Sequence, residues 1–139
     1  MQSLLSGIRI LDLSRVLAGP YGTLLLGDLG AEIIKIEDPK EGDPTRNITP
    51  KKVEGEDPYF LGLNRNKKSI TLNLNSPPGK EIFYRLVKIS DVVYDNYRPD
   101  VLPKLGVDYE TLKEINPRMI CCSISGFGHT GPLQNRPAY

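Results

Sequence analysis

The sequence predicts an α/β fold, a mostly parallel sheet with helices on both faces. Three observations lead there. Short aliphatic runs alternate with amphipathic stretches along the whole chain. The first strand–helix–strand alternation closes within about thirty residues, the size of a βαβ unit. Finally, 13 Gly and 12 Pro punctuate the 139 residues without forming low-complexity runs, which implies many connections between short elements.

Ile8 to Leu13 mixes alternation with an aliphatic run, as a largely buried strand does. Ser14 to Gly19 form a connection, and Pro20 suits the first turn of a helix that Gly30 stops. Leu24, Leu25, Leu26 and Leu29 give that helix an apolar stripe. Ala31 to Glu37 is the second strand. Residues 38–57 are charged and turn-rich, a surface excursion of about twenty residues, and excursions of that length are usually functional. A short helix starts near Pro58, and Asn64 to Lys68 form a small basic cluster. Ser69 to Leu74 alternates as the third strand, and Pro77-Pro78 opens a helix over 79–87. Asp91 to Asp95 is the fourth strand. Two short helices, 99–105 and 109–115, precede the fifth, 118–124.

In such a sheet ligands bind beyond the carboxyl ends of the strands. Those ends are Ser14–Pro20, Glu37–Pro39, Asn73–Ser76, Asn96–Pro99 and Ser125–Pro132.

Composition narrows the function classes. Lys plus Arg number 18 against 17 for Asp plus Glu, so no bulk basic field points to nucleic acid or an anionic membrane. The single histidine, His129, excludes a Cys₂His₂ zinc finger. Adjacent Cys121 and Cys122 point to opposite faces of a strand and read as buried apolar residues of a reduced protein. No stretch reaches the ~18 apolar residues of a membrane span. The N-terminus has neither signal-peptide nor transit-peptide character. These features predict a cytoplasmic chain.

Gly126 to Gly131 spells GxGxxG after a strand. A dinucleotide site needs a helix to open there, and Pro132 follows with no amphipathic pattern. A glycine-rich loop that admits a ligand to the backbone and a plain tight turn both remain open. His129 is either a general base or simply exposed. Asp12, at a strand end, is a candidate for chemistry or for a structural hydrogen bond. Lys67, Lys68, Asn96, Arg98 and Lys104 offer cations and amides for phosphate, with a solvated surface as the alternative.

Gly7 to Pro20 (GIRILDLSRVLAGP) resembles the opening of the class III CoA-transferases, the family of formyl-CoA transferase, carnitine CoA-transferase and α-methylacyl-CoA racemase. The resemblance continues through Leu29–Glu37, Gly42–Arg46, Leu63–Ile70, Asp95–Pro99, Ile115–Arg118 and Ser125–Pro132, in order along essentially the whole chain. It implies a Rossmann-like large domain, accompanied in the family by a smaller domain, in two chains interlinked as rings. It also implies that coenzyme A or acyl-CoA binds as substrate, with no permanently held cofactor and no metal. Val16, Leu17 and Ala18 then meet the thioester end. Leu72, Asn73, Asn75, Asn96, Tyr97, Arg98 and Lys104 line the nucleotide part, and Ala138 and Tyr139 lie near the reacting centre.

The partners implied are an acyl-CoA and a carboxylic acid, together with a second copy or a second polypeptide that completes the fold. Three positions depart from family patterns. Leu17 stands where formyl-CoA transferases carry Gln, which argues against oxalate-type chemistry. Asp38 replaces an Arg that contacts adenosine, and Tyr139 stands where a racemase places its catalytic His. The family's nucleophile is an Asp beyond Tyr139, and Asp12, Asp91, Asp95 and Asp108 belong to other motifs. The reading is therefore a partial CoA-binding domain over 1–139, without the catalytic segment or small domain, and inactive alone. A non-catalytic CoA- or nucleotide-binding subunit and a racemase fragment are the alternatives.

Overall fold

Five strands form one sheet in the order β3-β2-β1-β4-β5, all neighbours parallel. They are β1 (Arg9–Asp12), β2 (Glu32–Glu37), β3 (Lys67–Thr71), β4 (Val92–Asp95) and β5 (Ile120–Ser123). The helices between them are α1 (Ala18–Asp28), α2 (Pro58–Asn64), α3 (Pro77–Val87), α4 (Val101–Leu105) and α5 (Tyr109–Ile115), and a 3₁₀ turn spans Pro44–Asn47. The structure, a computed structural model, describes residues 3–138.

Alternation along the strands sorts the core into two layers. On one face Leu11, Leu13, Ile36 and Val93 pack with Phe83 and Val87 of α3, Leu102 of α4 and Leu112 of α5. On the other, Ile10, Ile33 and Tyr94 pack with Leu26 of α1. Helices thus cover both faces, as the alternating pattern requires. The helix starts are specified locally. The carboxylates of Asp57 and Asp108 and the hydroxyl of Ser76 accept backbone N–H groups at the starts of α2, α5 and α3, and Pro opens α2 and α3. Gly106 ends α4 in the left-handed conformation at φ 70°.

The structure departs from the sequence reading at the third strand. The third strand is Lys67–Thr71 rather than 69–74. Leu72 N still donates to Glu37 O, and Leu72 and Leu74 are buried, but pairing ends before them. Segment 38–57 is a surface excursion, as expected, with most of its residues exposed, and it is anchored from within. Asp43, Thr45 and Asp57 are buried, and each carboxylate accepts nearby backbone N–H groups. Polar residues read as surface, yet here they fold a loop around themselves.

Candidate functional site

From β1 the chain winds outward to β2 and β3 on one side, and β4 and β5 lie on the other. The loops after β1 and β4 lead to helices on opposite faces, so a crevice opens between them. The site is built there.

The β1 loop is held rigidly. Asn96, just after β4, accepts from Arg15 N and donates to Arg15 O, both at 2.8 Å. The Arg15 guanidinium lies over the Tyr97 ring, 4.9 Å from its centroid. Lys35 Nζ donates to Ser14 O at 2.8 Å. Val16 has φ 69°, a left-handed conformation that a β-branched residue rarely adopts. Gly19 lets α1 start against this loop, because a Cβ there would sit 2.3 Å from Ser14 Cβ. No side chain caps α1 at Leu17, so the N–H groups of its first turn have no side-chain partner at the cap.

Beside this loop lies a cavity of about 290 Å³. Its walls are Ile36, Leu72, Leu74, Val101 and Leu105, and its polar rim is Arg15, Glu37, Asp38, Asn75 and Tyr97. A few polar groups on an apolar frame are the usual composition of a small-molecule site. Burial pushes the Tyr97 phenol up, against the pull of Arg15, so it acts as a hydrogen-bonding hydroxyl. Backbone N–H groups of Lys40 and Glu41 hold the Asp38 carboxyl below its usual range, so it stays an acceptor.

Two buried ion pairs underlie the loop. Lys35 Nζ faces Asp43 Oδ2 at 2.8 Å, an ion pair rather than a directed hydrogen bond. Lys67 Nζ lies 3.1 Å from Asp12 Oδ2 and also donates to Pro20 O and Asn64 Oδ1. Burial lowers the Lys67 pKa although Asp12 opposes it, and Lys35 and Thr45 hold Asp43 low in spite of its burial. A third carboxylate, Glu37, is also buried. It takes two hydrogen bonds from Arg46 at 2.8 Å each, plus others from Ser69 and Asp43 N. These bonds outweigh burial and bring its pKa down to about 2.

Among the sequence candidates, Leu72, Asn75 and Tyr97 line the cavity. Val16, Leu17 and Ala18 are exposed on the adjoining loop. Asn96 spends both ends of its amide on Arg15 and positions the loop. Asn73 lies in the turn before α3, where its side chain accepts from Asn75 N. Arg98 and Lys104 are exposed, share Asp100 and do not line the cavity. Ala138 lies against Gly126, and Tyr139 is outside the described residues.

One candidate is corrected: Lys67 is a buried structural cation paired with Asp12, not part of a phosphate-binding surface. Asp12 accordingly serves structure. Lys68 is exposed, pairs with Glu32 and does not line the cavity. His129 is exposed. Cys121 and Cys122 are free and half-buried, and burial pushes the Cys121 thiol up to about 11, so it is not an activated nucleophile. The sequence reading did not single out Arg15, Ile36, Glu37, Val101 or Leu105 for the cavity, and named Asp38 only as standing where the resemblance places an adenosine-contacting Arg. For Arg15 and Asp38 the available signal was position at a strand end. No group of metal-ligating side chains occurs among the described residues.

Comparison with known proteins agrees with this fold. Residues 5–139 match the family model described as CoA-transferase family III. The chain is 52% identical to mouse (Mus musculus) succinyl-CoA:glutarate CoA-transferase over 97% of its own length and 31% of that protein. It is 50% identical to acetyl-CoA:oxalate CoA-transferase of Acetobacter aceti over 96% of its length and 34% of the relative. A crystal structure of a CAIB/BAIF family protein from Brucella suis superposes with a TM-score of 0.93 at 47% identity, covering 100% of this chain and 38% of that one. The chain spans about a third of the length of the curated relatives it matches. It belongs to CoA-transferase family III.

Proposed function

We propose that this chain binds coenzyme A across the carboxyl ends of its sheet. On this reading it is the CoA-binding part of an enzyme that moves CoA from an acyl-CoA to a carboxylic acid. The observation that carries the proposal is the cavity at the strand-order reversal, rimmed by Arg15 stacked on Tyr97. At about 290 Å³ it is at the small end of small-molecule sites, so it takes one part of a long ligand. Tyr97 and the apolar wall suit adenine, and Arg15 suits a phosphate. Asp38 is placed to accept from a ribose hydroxyl, the role an acidic residue after β2 plays in dinucleotide sites. Leu72, Asn73, Asn75 and Asn96 shape this end. Arg98 and Lys104, both exposed, are free to turn from Asp100 to a phosphate. Val16, Leu17 and Ala18 meet the thioester end.

Transfer in this reading is covalent. An aspartate carboxylate attacks the acyl-CoA carbonyl and expels CoA thiolate, leaving a mixed anhydride. The thiolate attacks the aspartyl carbonyl, releases the donor acid and leaves an aspartyl-CoA thioester. The acceptor carboxylate attacks that thioester and expels the thiolate to form a second mixed anhydride. The thiolate then attacks the acceptor carbonyl, giving the new acyl-CoA and freeing the aspartate. The aspartates of residues 1–139 are otherwise employed. Asp12 and Asp43 pair with lysines, Asp28 with Arg65 and Asp100 with Lys104. Asp38, Asp57, Asp91, Asp95 and Asp108 accept backbone N–H groups. Residues 1–139 alone therefore bind CoA without transferring it. The relatives named above carry glutarate and oxalate in their names, which supports a dicarboxylic acid as acceptor, and Leu17 favours one other than oxalate.

The working assembly proposed is a homodimer of interlinked chains. In support, β5 is an edge strand whose Ile120 is 60% exposed. Two free thiols support a reducing compartment, the cytoplasm in this proposal. Among the described residues no helix is long and apolar enough to cross a membrane.

Isothermal calorimetry tests the binding claim. CoA should bind more weakly than about a micromolar, roughly −8 kcal/mol, and Arg15→Ala should weaken it further. Absence of heat at millimolar CoA overturns the site. The employment of every aspartate also favours a second reading, a non-catalytic CoA-binding subunit. Thioester exchange by a complete assembly containing this chain decides between the two.

A further inference from the structure

The sequence segment Gly42-Asp43-Pro44-Thr45-Arg46 takes no part in the cavity. We propose that the buried Lys35–Asp43 ion pair is a positioning device that holds the Ser14–Val16 loop in its ligand-receiving conformation. The inference rests on the CoA-binding reading above and assigns that site its support.

The pair grips the loop at two atoms. Lys35 Nζ, on β2, donates to Ser14 O at 2.8 Å. Asp43 Oδ1 faces Val16 N at 3.4 Å, while Thr45 N and Thr45 Oγ1 donate to the same oxygen at 2.9 and 2.7 Å. Both charged side chains are buried, 1% and 0% exposed. A buried ion pair seldom stabilises a fold more than apolar residues of the same volume would. Its retention therefore calls for another reason, and the loop supplies one. Val16 sits at φ 69°, a conformation that costs about 1–3 kcal/mol and persists only when its surroundings over-determine it. The surroundings here are this pair on one side and Asn96 on the other. Lys35 and Asp43 line no part of the cavity, so they act through the loop and not on the ligand.

The test replaces the pair by the neutral, similarly sized Lys35→Met/Asp43→Asn. The melting temperature is measured alongside the affinities for CoA and for its nucleotide half, adenosine 3′,5′-bisphosphate. The expected result is a folded protein that binds both CoA and the bisphosphate about tenfold more weakly, because Arg15, the phosphate contact proposed above, lies within the held loop. No loss of either ligand overturns the proposal. If the double variant does not fold, Asp43→Glu, which keeps the charge but moves the carboxylate by one methylene, is read the same way. A ligand-free measurement separates this inference from the CoA reading. The strong intraresidue amide–Hα cross-peak that a positive φ gives Val16 should disappear in the variant. Its persistence overturns the positioning role even if CoA binds, and its loss supports that role even if CoA does not.

Discussion

The two sides of the sheet are held together by different physics. Around β1, β2 and β3 the interior contains charge: Lys35 with Asp43, Lys67 with Asp12, and Glu37 with Arg46. Under α3, α4 and α5 it is apolar, with Phe83, Val87, Val93, Leu102 and Leu112 buried together, and Asp95 at the end of β4 is a buried carboxyl on this side. Apolar packing is non-directional and tolerates rearrangement of equal volume. A buried ion pair fixes the positions of individual atoms, because a misplaced charge there is costly. The charged side lies beneath the loop after β1, and the apolar side lies beneath α3 and α5, with α4 also lending Val101 and Leu105 to the cavity wall. The difference teaches where this fold uses precision and where it uses bulk.

The largest effects break one side at a time. Phe83→Ala should cost about 3–5 kcal/mol in urea unfolding, from lost burial plus a cavity. Asp12→Ala should cost a similar ~3–5 kcal/mol, because the Lys67 ammonium is left buried without its counter-charge. The comparison sharpens in the double variant Asp12→Leu/Lys67→Met, which should recover part of that loss. Either loss is a large share of the ~5–15 kcal/mol that holds a domain folded.

Next comes pH. Glu37 titrates near 4.5 when unfolded and at about 2 when folded. Its contribution is therefore fully present above pH 4.5 and disappears as pH falls from there toward 2, about 3 kcal/mol in all. Asp43 and Asp57 are shifted the same way. Unfolding free energies at pH 7 and pH 3 should show the drop, and Arg46→Met should shrink it. The smallest effect sits in the loop. Val16→Gly relieves the strained φ and should raise stability by about 1 kcal/mol while weakening CoA. A variant that gains stability and keeps its affinity would mean that the strained loop is not part of the site.

This contrast also explains what could be read in advance. The strand–helix alternation and the helix-start residues are local signals, and they placed every strand and helix of the sheet within a few residues. The charged interior is not local. Lys67 reads as solvated beside Arg65 and Lys68, and only its pairing with Asp12, 55 positions away, buries it. The third strand was misplaced for the same reason, since a strand that begins with two lysines looks like a loop. Arg98 and Lys104 were attractive as cations near a strand end, but Asp100 between them holds both. Arg15 was missed because its role depends on the Asn96 amide and the Tyr97 ring, which arrive from another strand. Segment 38–57 lies on the surface as its polar sequence implies, but nothing in that sequence says which carboxylates turn inward.

The central claim is that CoA occupies the crevice between the loops after β1 and β4. Amide chemical-shift mapping of the isotopically labelled chain during a CoA titration tests it most directly. The account predicts that the largest shifts fall on Arg15, Val16, Asp38, Asn75 and Tyr97, with little change along α3 and α5. Shifts concentrated on α3 and α5, or none at saturating CoA, would contradict it.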